Sequence, residues 1–366
     1  MKISGLIVSI ASGIVVTLAL VGVRAVQARS ANLLTDTPDS WPRIPPEALR
    51  KVPRNPAPFA STNAAVVTEN GPVKSTVAFG VEQFLAIPYA APPVGNLRWM
   101  PPQPHARWHG VLRSSNFGSR CIQQDGSGSE DCLTLNVFRP IAHKNQNKSN
   151  PLPVMVWIHG GGLVSGGSAD YQPDPLVRAG NVIVVTINYR LGILGFFAHP
   201  AIDAEGHLNG NYGLMDQQFA LRWVQRNIAA FGGDPNRVTI FGESAGGQSV
   251  YAQLASPTAA GLFQRAISQS GAYSEFQDYL DFIIPLAQGE TIGTGLVPSG
   301  IAQAQSVGCP DQTATCLRAL PASTLALAAS VPIVPICRRN DTYSDAGIGL
   351  RQRPVQSSAG DLRRDS

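Results

Sequence analysis

Val238-Thr239-Ile240-Phe241-Gly242-Glu243-Ser244-Ala245-Gly246-Gly247 reads as a short β-branched strand that runs through a Gly-x-Ser-x-Gly turn into a helix. A serine at such a bend becomes a nucleophile, because the glycines let the chain turn sharply and leave the Ser244 hydroxyl exposed at the strand's end. The order strand, nucleophile turn, helix places this stretch in an α/β sheet whose triad acid and histidine follow the serine in the chain. All six histidines (His105, His109, His143, His159, His199, His207) precede Ser244. The stretch therefore offers a nucleophile without the base expected after it.

Outward from this turn, Val154-Met155-Val156-Trp157-Ile158 and Val182-Ile183-Val184-Val185-Thr186-Ile187 are continuous apolar runs, and Ala266-Ile267-Ser268 is a weaker one. Such runs suit strands covered on both faces of a parallel sheet. Leu214, Leu221, Val224 and Ile228 recur at helical spacing and predict a helix over 214–228. Gly232-Gly233-Asp234-Pro235 reads as the turn leading into the serine-bearing strand. Val66-Val67 and Val77-Ala78-Phe79 predict short antiparallel strands. Strand, helix, strand predicts an α/β fold.

The first core strand ends in Trp157-Ile158-His159-Gly160-Gly161-Gly162. A His-Gly-Gly-Gly loop there can supply backbone N–H groups to an oxyanion, and Gly161, Gly162 and the N–H of Ala245 are expected in that role. A plain flexible turn is the alternative, and co-occurrence with the serine turn argues against it. His159 reads as a residue that orders this loop rather than as the missing base. The other histidines lie in proline-rich or polar surroundings and are expected to be exposed. No His/Cys/Glu spacing suggests a metal site, and no cofactor is expected.

The formal charge is +4 over 366 residues. With no stripe of Lys and Arg interleaved with aromatics, nucleic acid is not an expected partner. Lys2, the apolar run 3–23 and then Val26-Gln27-Ala28 predict a signal peptide over 1–28. An uncleaved membrane anchor is the alternative, since the run is about long enough to span a bilayer. Either way the body of the protein is expected to be secreted or periplasmic. Residues 29–64 are proline-rich and read as an extended linker, and 145–153 as a polar loop. Folded sequence is expected over 65–335. Residues 336–366 lose apolar periodicity and read as a disordered tail. Five cysteines in an exported chain suggest two disulfides. Pairing Cys121 with Cys132 and Cys309 with Cys316 is the simplest connectivity, with Cys337 left over, though spacing alone leaves the pairing open.

Four blocks resemble the type-B carboxylesterase family, which includes the cholinesterases and bacterial para-nitrobenzyl esterases. They are Phe84-Leu85-Ala86-Ile87-Pro88-Tyr89-Ala90 with Pro92-Pro93-Val94-Gly95 and Leu97-Arg98; Ser129-Glu130-Asp131-Cys132-Leu133-Thr134-Leu135-Asn136-Val137; the His159 loop; and Gly210-Asn211-Tyr212-Gly213-Leu214-Met215-Asp216-Gln217, continuing to Gly247. The resemblance implies an α/β-hydrolase fold with a mostly parallel central sheet. It implies hydrolysis of a small-molecule carboxylic ester through an acyl-enzyme on Ser244, and it supports both disulfides. It also implies that Glu243 is a buried acidic neighbour that supports the site's hydrogen bonds. The loop 122–131 has no aromatic ring, which disfavours a choline substrate.

Family members run longer and carry their triad acid and histidine in a C-terminal part that this sequence does not match. Glu275, Asp278, Asp281 and Glu290 come too soon after Ser244 to be that acid. The chain therefore resembles the N-terminal portion of an esterase, with a sheet incomplete at its C-terminal end. It is expected to be nearly inactive, with an exposed sheet edge that predicts poor solubility. The rival readings are a non-catalytic cholinesterase-like binding module and an unstable gene fragment.

Overall fold

The computed structural model describes residues 65–141, 151–208, 210–271, 284–285, 290–291, 298–328 and 336–337. The expected signal and linker, most of the polar loop, Glu275, Asp278, Asp281 and the tail beyond 337 lie outside the described residues. Among the described residues, no helix is long and apolar enough to cross a membrane.

Strands β3 (Thr76–Ala78), β4 (Val81–Pro88), β6 (Thr134–Pro140), β7 (Leu152–Ile158), β8 (Ile183–Ile187), β9 (Gly233–Glu243) and β10 (Arg265–Gln269) form one sheet. Their order is β10-β9-β7-β8-β6-β4-β3. The β10–β9, β9–β7 and β7–β8 pairs are parallel, and the remaining pairs are antiparallel. β1 (Val66–Val67), β2 (Pro72–Lys74) and β5 (Leu112–Arg113) make a small second sheet, and β11 (Ile284–Pro285) pairs in parallel with β12 (Ile336–Cys337). The last pair brings the first two residues of the expected tail into a strand.

The helices that matter to the site are α1 (Asp174–Gly180), α2 (Gly192–Phe196), α3 (Pro200–Asp203), α4 (Tyr212–Asn227) and α5 (Ala245–Ala255). Phe219, Leu221, Trp223 and Val224 of α4 and Val250 of α5 bury against Val154, Val156, Val238 and Ile240 on one sheet face. Val177 of α1 buries against Leu85, Phe138 and Val184 on the other. Trp99, Leu194 and Phe197 join Leu317 and Leu325 in a separate apolar cluster beside α2. These layers follow from the apolar runs of β7, β8 and β9, which cannot face water on either side without cost.

The expected turn at 232–235 is shorter than read. Gly232 alone takes a left-handed conformation (φ 87°), and the strand starts at Gly233 because Leu152 N–H donates to Gly232 O at 2.9 Å and seeds the pairing. β3 stops at Ala78, since Phe79 turns to φ 52°. Strands β4 and β6 bury polar groups in pairs. Arg139 Nε donates to Glu82 Oε2 at 2.8 Å, Arg139 Nη1 to Phe231 O at 3.1 Å, and Ser75 Oγ to Glu82 Oε1 at 2.6 Å. Both predicted disulfides, Cys121–Cys132 and Cys309–Cys316, are present.

Candidate active site

β9 ends at Glu243 and α5 begins at Ala245, so Ser244 carries the whole reversal. Its backbone sits at φ 56° and ψ −125°, a region that side chains rarely adopt and that costs of order 1–3 kcal/mol. Two hydrogen bonds hold it there: Ser244 N–H donates to Gln269 O at 2.9 Å, and Gln248 N–H donates to Ser244 O at 2.9 Å. The bend also needs its flanking glycines. A Cβ at Gly242 would lie 2.7 Å from Ile158 O, and one at Gly246 would overlap that same carbonyl oxygen. The turn is therefore pressed against the end of β7, where the triglycine loop starts.

The two segments meet. A Cβ on Gly160 would lie 2.6 Å from Glu243 O and 3.2 Å from Ser244 Cβ. Beyond Gly160, Gly161 takes φ 104° and Gly162 φ 63°. The Gly161 carbonyl is drawn into its own loop by Val164 N–H at 3.1 Å and Ser165 N–H at 3.0 Å. Among the described residues, no acceptor takes the N–H of Gly161 or Gly162. Ala245 opens α5, so its N–H is one of the donors that a helix start leaves unused.

His159 is 1% exposed, its Nδ1 lies 2.8 Å from Gly160 O, and its ring stacks on Tyr189 at 4.3 Å. The Tyr189 hydroxyl donates to His159 O at 2.6 Å. Burial holds the imidazole down to about 4, against smaller opposing contributions from the Gly160 carbonyl and Asp170. His159 is thus a neutral ring committed to the shape of its own loop. The expectation that the other histidines are exposed fails at His199, which is 1% exposed. It caps α3 by accepting from Ala201 N–H at 3.1 Å and meets Gln312 Oε1 at 2.8 Å, a use set by its place before Pro200.

Glu243 requires a second correction. It is exposed rather than buried, and among the described residues no hydrogen bond reaches its side chain. Its side chain leaves β9 on the face of Phe241 and Thr239. Tyr171 occupies part of that face, with its ring 4.7 Å from Trp157, and partial burial raises its hydroxyl pKa.

Sequence reading missed the residues that tie the disulfide loop to the glycine loop. Gln123 Nε2 donates to Cys121 O at 2.6 Å and to Gly166 O at 3.0 Å, while Gly166 N–H donates to Gln123 Oε1 at 2.7 Å. Gln124 N–H adds a bond to Val164 O at 2.9 Å. Asn188, just past β8, donates to Ser119 O and Cys132 O and accepts from Ser168 N–H. Glutamines and asparagines have no periodic signal, and only the closed network reveals them.

The model of the carboxylesterase family matches residues 62–344. The para-nitrobenzyl esterase of Bacillus subtilis (strain 168) is 48% identical over 223 residues, which are 58% of this chain and 44% of that protein. The medium-chain fatty acyl-CoA hydrolase precursor of Anas platyrhynchos is 46% identical over 230 residues, 56% of this chain and 40% of that one. A solved PNB esterase superposes with a TM-score of 0.64 at 39% identity, covering 75% of this chain and 57% of its own. The chain thus spans 40–44% of the length of these two curated relatives.

Proposed function

The chain belongs to the carboxylesterase family, and on that premise we propose that its site is built for hydrolysis of a small-molecule carboxylic ester through Ser244. The Ser244 oxygen attacks the ester carbonyl carbon. The carbonyl oxygen, now an oxyanion, receives the N–H groups of Gly161, Gly162 and Ala245. The C–O bond to the alcohol then breaks, the proton from the serine leaves with that alcohol, and water frees the acid from the acyl-enzyme. The supporting observation is the approach of the glycine loop to the bend, where a Cβ on Gly160 would lie 3.2 Å from Ser244 Cβ. The para-nitrobenzyl esterase likeness and the loop 122–131 without an aromatic ring favour a neutral ester over a choline ester.

The proton acceptor is the weak link. No histidine follows Ser244 in these 366 residues. His159 is a poor base near neutral pH with its pKa near 4, and His199 and His207 hold bonds of their own to Gln312 and Glu205. Members of a catalytic triad act as a unit, and removing them costs on the order of a millionfold in turnover. We therefore propose that this polypeptide alone is a very slow esterase that retains an oxyanion pocket. Steady-state hydrolysis of p-nitrophenyl acetate by the chain and by Ser244→Ala tests this. The expected result is a small Ser244-dependent rate. A rate equal to that of ordinary esterases refutes the missing-base argument, and the absence of any Ser244 dependence refutes the nucleophile.

Export is part of the proposal. The apolar run 3–23 with Val26-Gln27-Ala28 fits a cleaved leader, and two disulfides fit an oxidising compartment. N-terminal sequencing of the protein recovered from outside the cytoplasm tests it, with a start at Arg29 expected.

A further inference from the structure

The glycine loop closes on itself. Gly161 O accepts from Val164 N–H at 3.1 Å, Ser165 N–H at 3.0 Å and Ser165 Oγ at 3.1 Å. Gly166 then returns to the loop's start, where a Cβ on it would lie 2.8 Å from both Gly160 O and His159 Nδ1. Whatever fixes Gly166 therefore fixes Gly161. Gln123 grips Gly166 with both ends of one amide. Its Oε1 accepts from Gly166 N–H, and its Nε2 donates to Gly166 O and to Cys121 O. The residue is 7% exposed, and its amide oxygen and both amide hydrogens are engaged.

Gln123 is held in turn. Its own N–H donates to Ser127 O at 2.8 Å, and its carbonyl accepts from Gly126 N–H at 2.9 Å. The Cys121–Cys132 bridge closes the base of this loop. Arg98 grips the loop's far end through two bonds of 2.7 Å to the Glu130 carboxylate. Its Nη1 donates to Arg318 O at 3.1 Å and Leu320 O at 2.7 Å, at the end of the helix Ala314–Ala319. The disulfide loop is thus a bracket fixed to the body of the protein, and Gln123 carries its grip to the glycine loop.

Resting on the reading that Gly161 and Gly162 bind an oxyanion, we propose that Gln123 is a positioning residue for ester hydrolysis, whose amide sets where those two N–H groups point without touching substrate. The chemistry at position 123 is narrow. Glutamate keeps the length but has no donor for two carbonyl oxygens once ionised. Methionine keeps the length and makes none of the three bonds. An oxyanion donor works only at the place the oxygen takes in the transition state. A released loop therefore loses rate while still admitting the ester.

Amide exchange by NMR and labelling of Ser244, both on the full chain, separate this role from a general one in stability. In Gln123→Met, the amides of Val164 and Ser165, whose bonds go to Gly161 rather than to Gln123, should exchange at least about tenfold faster. The strand amides of Val156 and Ile240 should not move, whereas a change that merely weakens the fold speeds both sets alike. The second readout is phosphonylation of Ser244 by an alkyl fluorophosphonate, followed by intact mass. The serine oxygen bonds to phosphorus, fluoride leaves, the serine proton passes to solvent, and the P=O oxygen stands where the oxyanion would. Gln123→Met should lower the maximal labelling rate at least about tenfold and leave the half-saturating concentration within about twofold. A wild type that does not label at Ser244 refutes the nucleophile of the proposed function, and the exchange result still decides Gln123. Where Gln123→Met does not fold, the wild type answers alone: the Gln123 Nε2 hydrogens and the Gly166, Val164 and Ser165 amides should exchange as one unit as urea is raised. Unchanged loop exchange, strand amides that speed up as much as the loop, unchanged labelling of a reactive Ser244, or Nε2 hydrogens that exchange apart from Gly166 overturn the proposal.

Discussion

His159 makes the stability of the glycine loop depend on pH, and the sign and size follow from its surroundings. The ring is sealed between Tyr189 and Gly166, where a Cβ on Gly166 would lie 2.8 Å from Nδ1. Burial favours the neutral imidazole and holds its pKa near 4, against the 6.5 of the exposed side chain. The unfolded chain therefore takes up a proton that the folded chain refuses. The stabilisation is complete above the unfolded value and is lost as pH falls from 6.5 toward 4. At about 1.36 kcal/mol per pKa unit, the full effect is about 3 kcal/mol, and about 2 kcal/mol of it is gone near pH 5. His159→Phe keeps a flat ring against Tyr189 and carries no proton. Urea unfolding of both proteins near pH 7.5 and pH 5 measures the linkage, and the remaining titrating groups cancel in the difference. The wild type should lose about 2 kcal/mol more than the variant between the two pH values. Parallel losses would refute the buried neutral histidine, and with it the argument that His159 cannot serve Ser244 as a base.

Three further outcomes test the frame around the site. Gly246→Ala drives a methyl into the Ile158 carbonyl, which is strand backbone and cannot yield, so it should cost about 3 kcal/mol in chemical denaturation and abolish Ser244-dependent acylation. Ser244→Gly places the one residue at home with φ 56° at the bend, and should raise stability by about 1–2 kcal/mol while removing the nucleophile; an unchanged melting curve would argue that the bend is unstrained. Glu82→Ala leaves the Arg139 guanidinium, whose side chain is 4% exposed, without its carboxylate, and should cost about 3–5 kcal/mol, most of it recovered in the double change Glu82→Met with Arg139→Met.

Legibility followed whether a residue's environment is set by neighbours in sequence or by neighbours in space. β7, β8 and β9 were readable because their apolar runs are long and both faces are covered. The helix expected over 214–228 lies at Tyr212–Asn227 for the same reason. β4 and β6 were recognised only as family blocks, although each is seven or eight residues long. Their periodicity is hidden by Glu82, Gln83, Asn136 and Arg139, which are buried only because each finds a polar partner across the sheet. Gln123 and Tyr189 were invisible for a related reason, since their bonds span 43 and 30 residues. Glu243 erred in the other direction. Its burial was inferred from resemblance, and at the end of β9 its side chain is exposed.

The spacing Gly242-x-Ser244-x-Gly246 acquires its meaning from β7. A serine at φ 56° would relax if the chain on either side could move, and each route is closed by a backbone atom rather than by a side chain. Gly242 and Gly246 both abut Ile158 O, Gly160 abuts Glu243 O, and the Ser244 amide is held by Gln269 O. Rigid main chain from three strands thus over-determines the bend, and the same contacts set Gly160, where the glycine loop begins, against Ser244. The strain and the closeness of the glycine loop are consequences of one packing event, in which β9 is seated beside β7. A substitution that loosens that seat is therefore expected to relax Ser244 and to shift the glycine loop together.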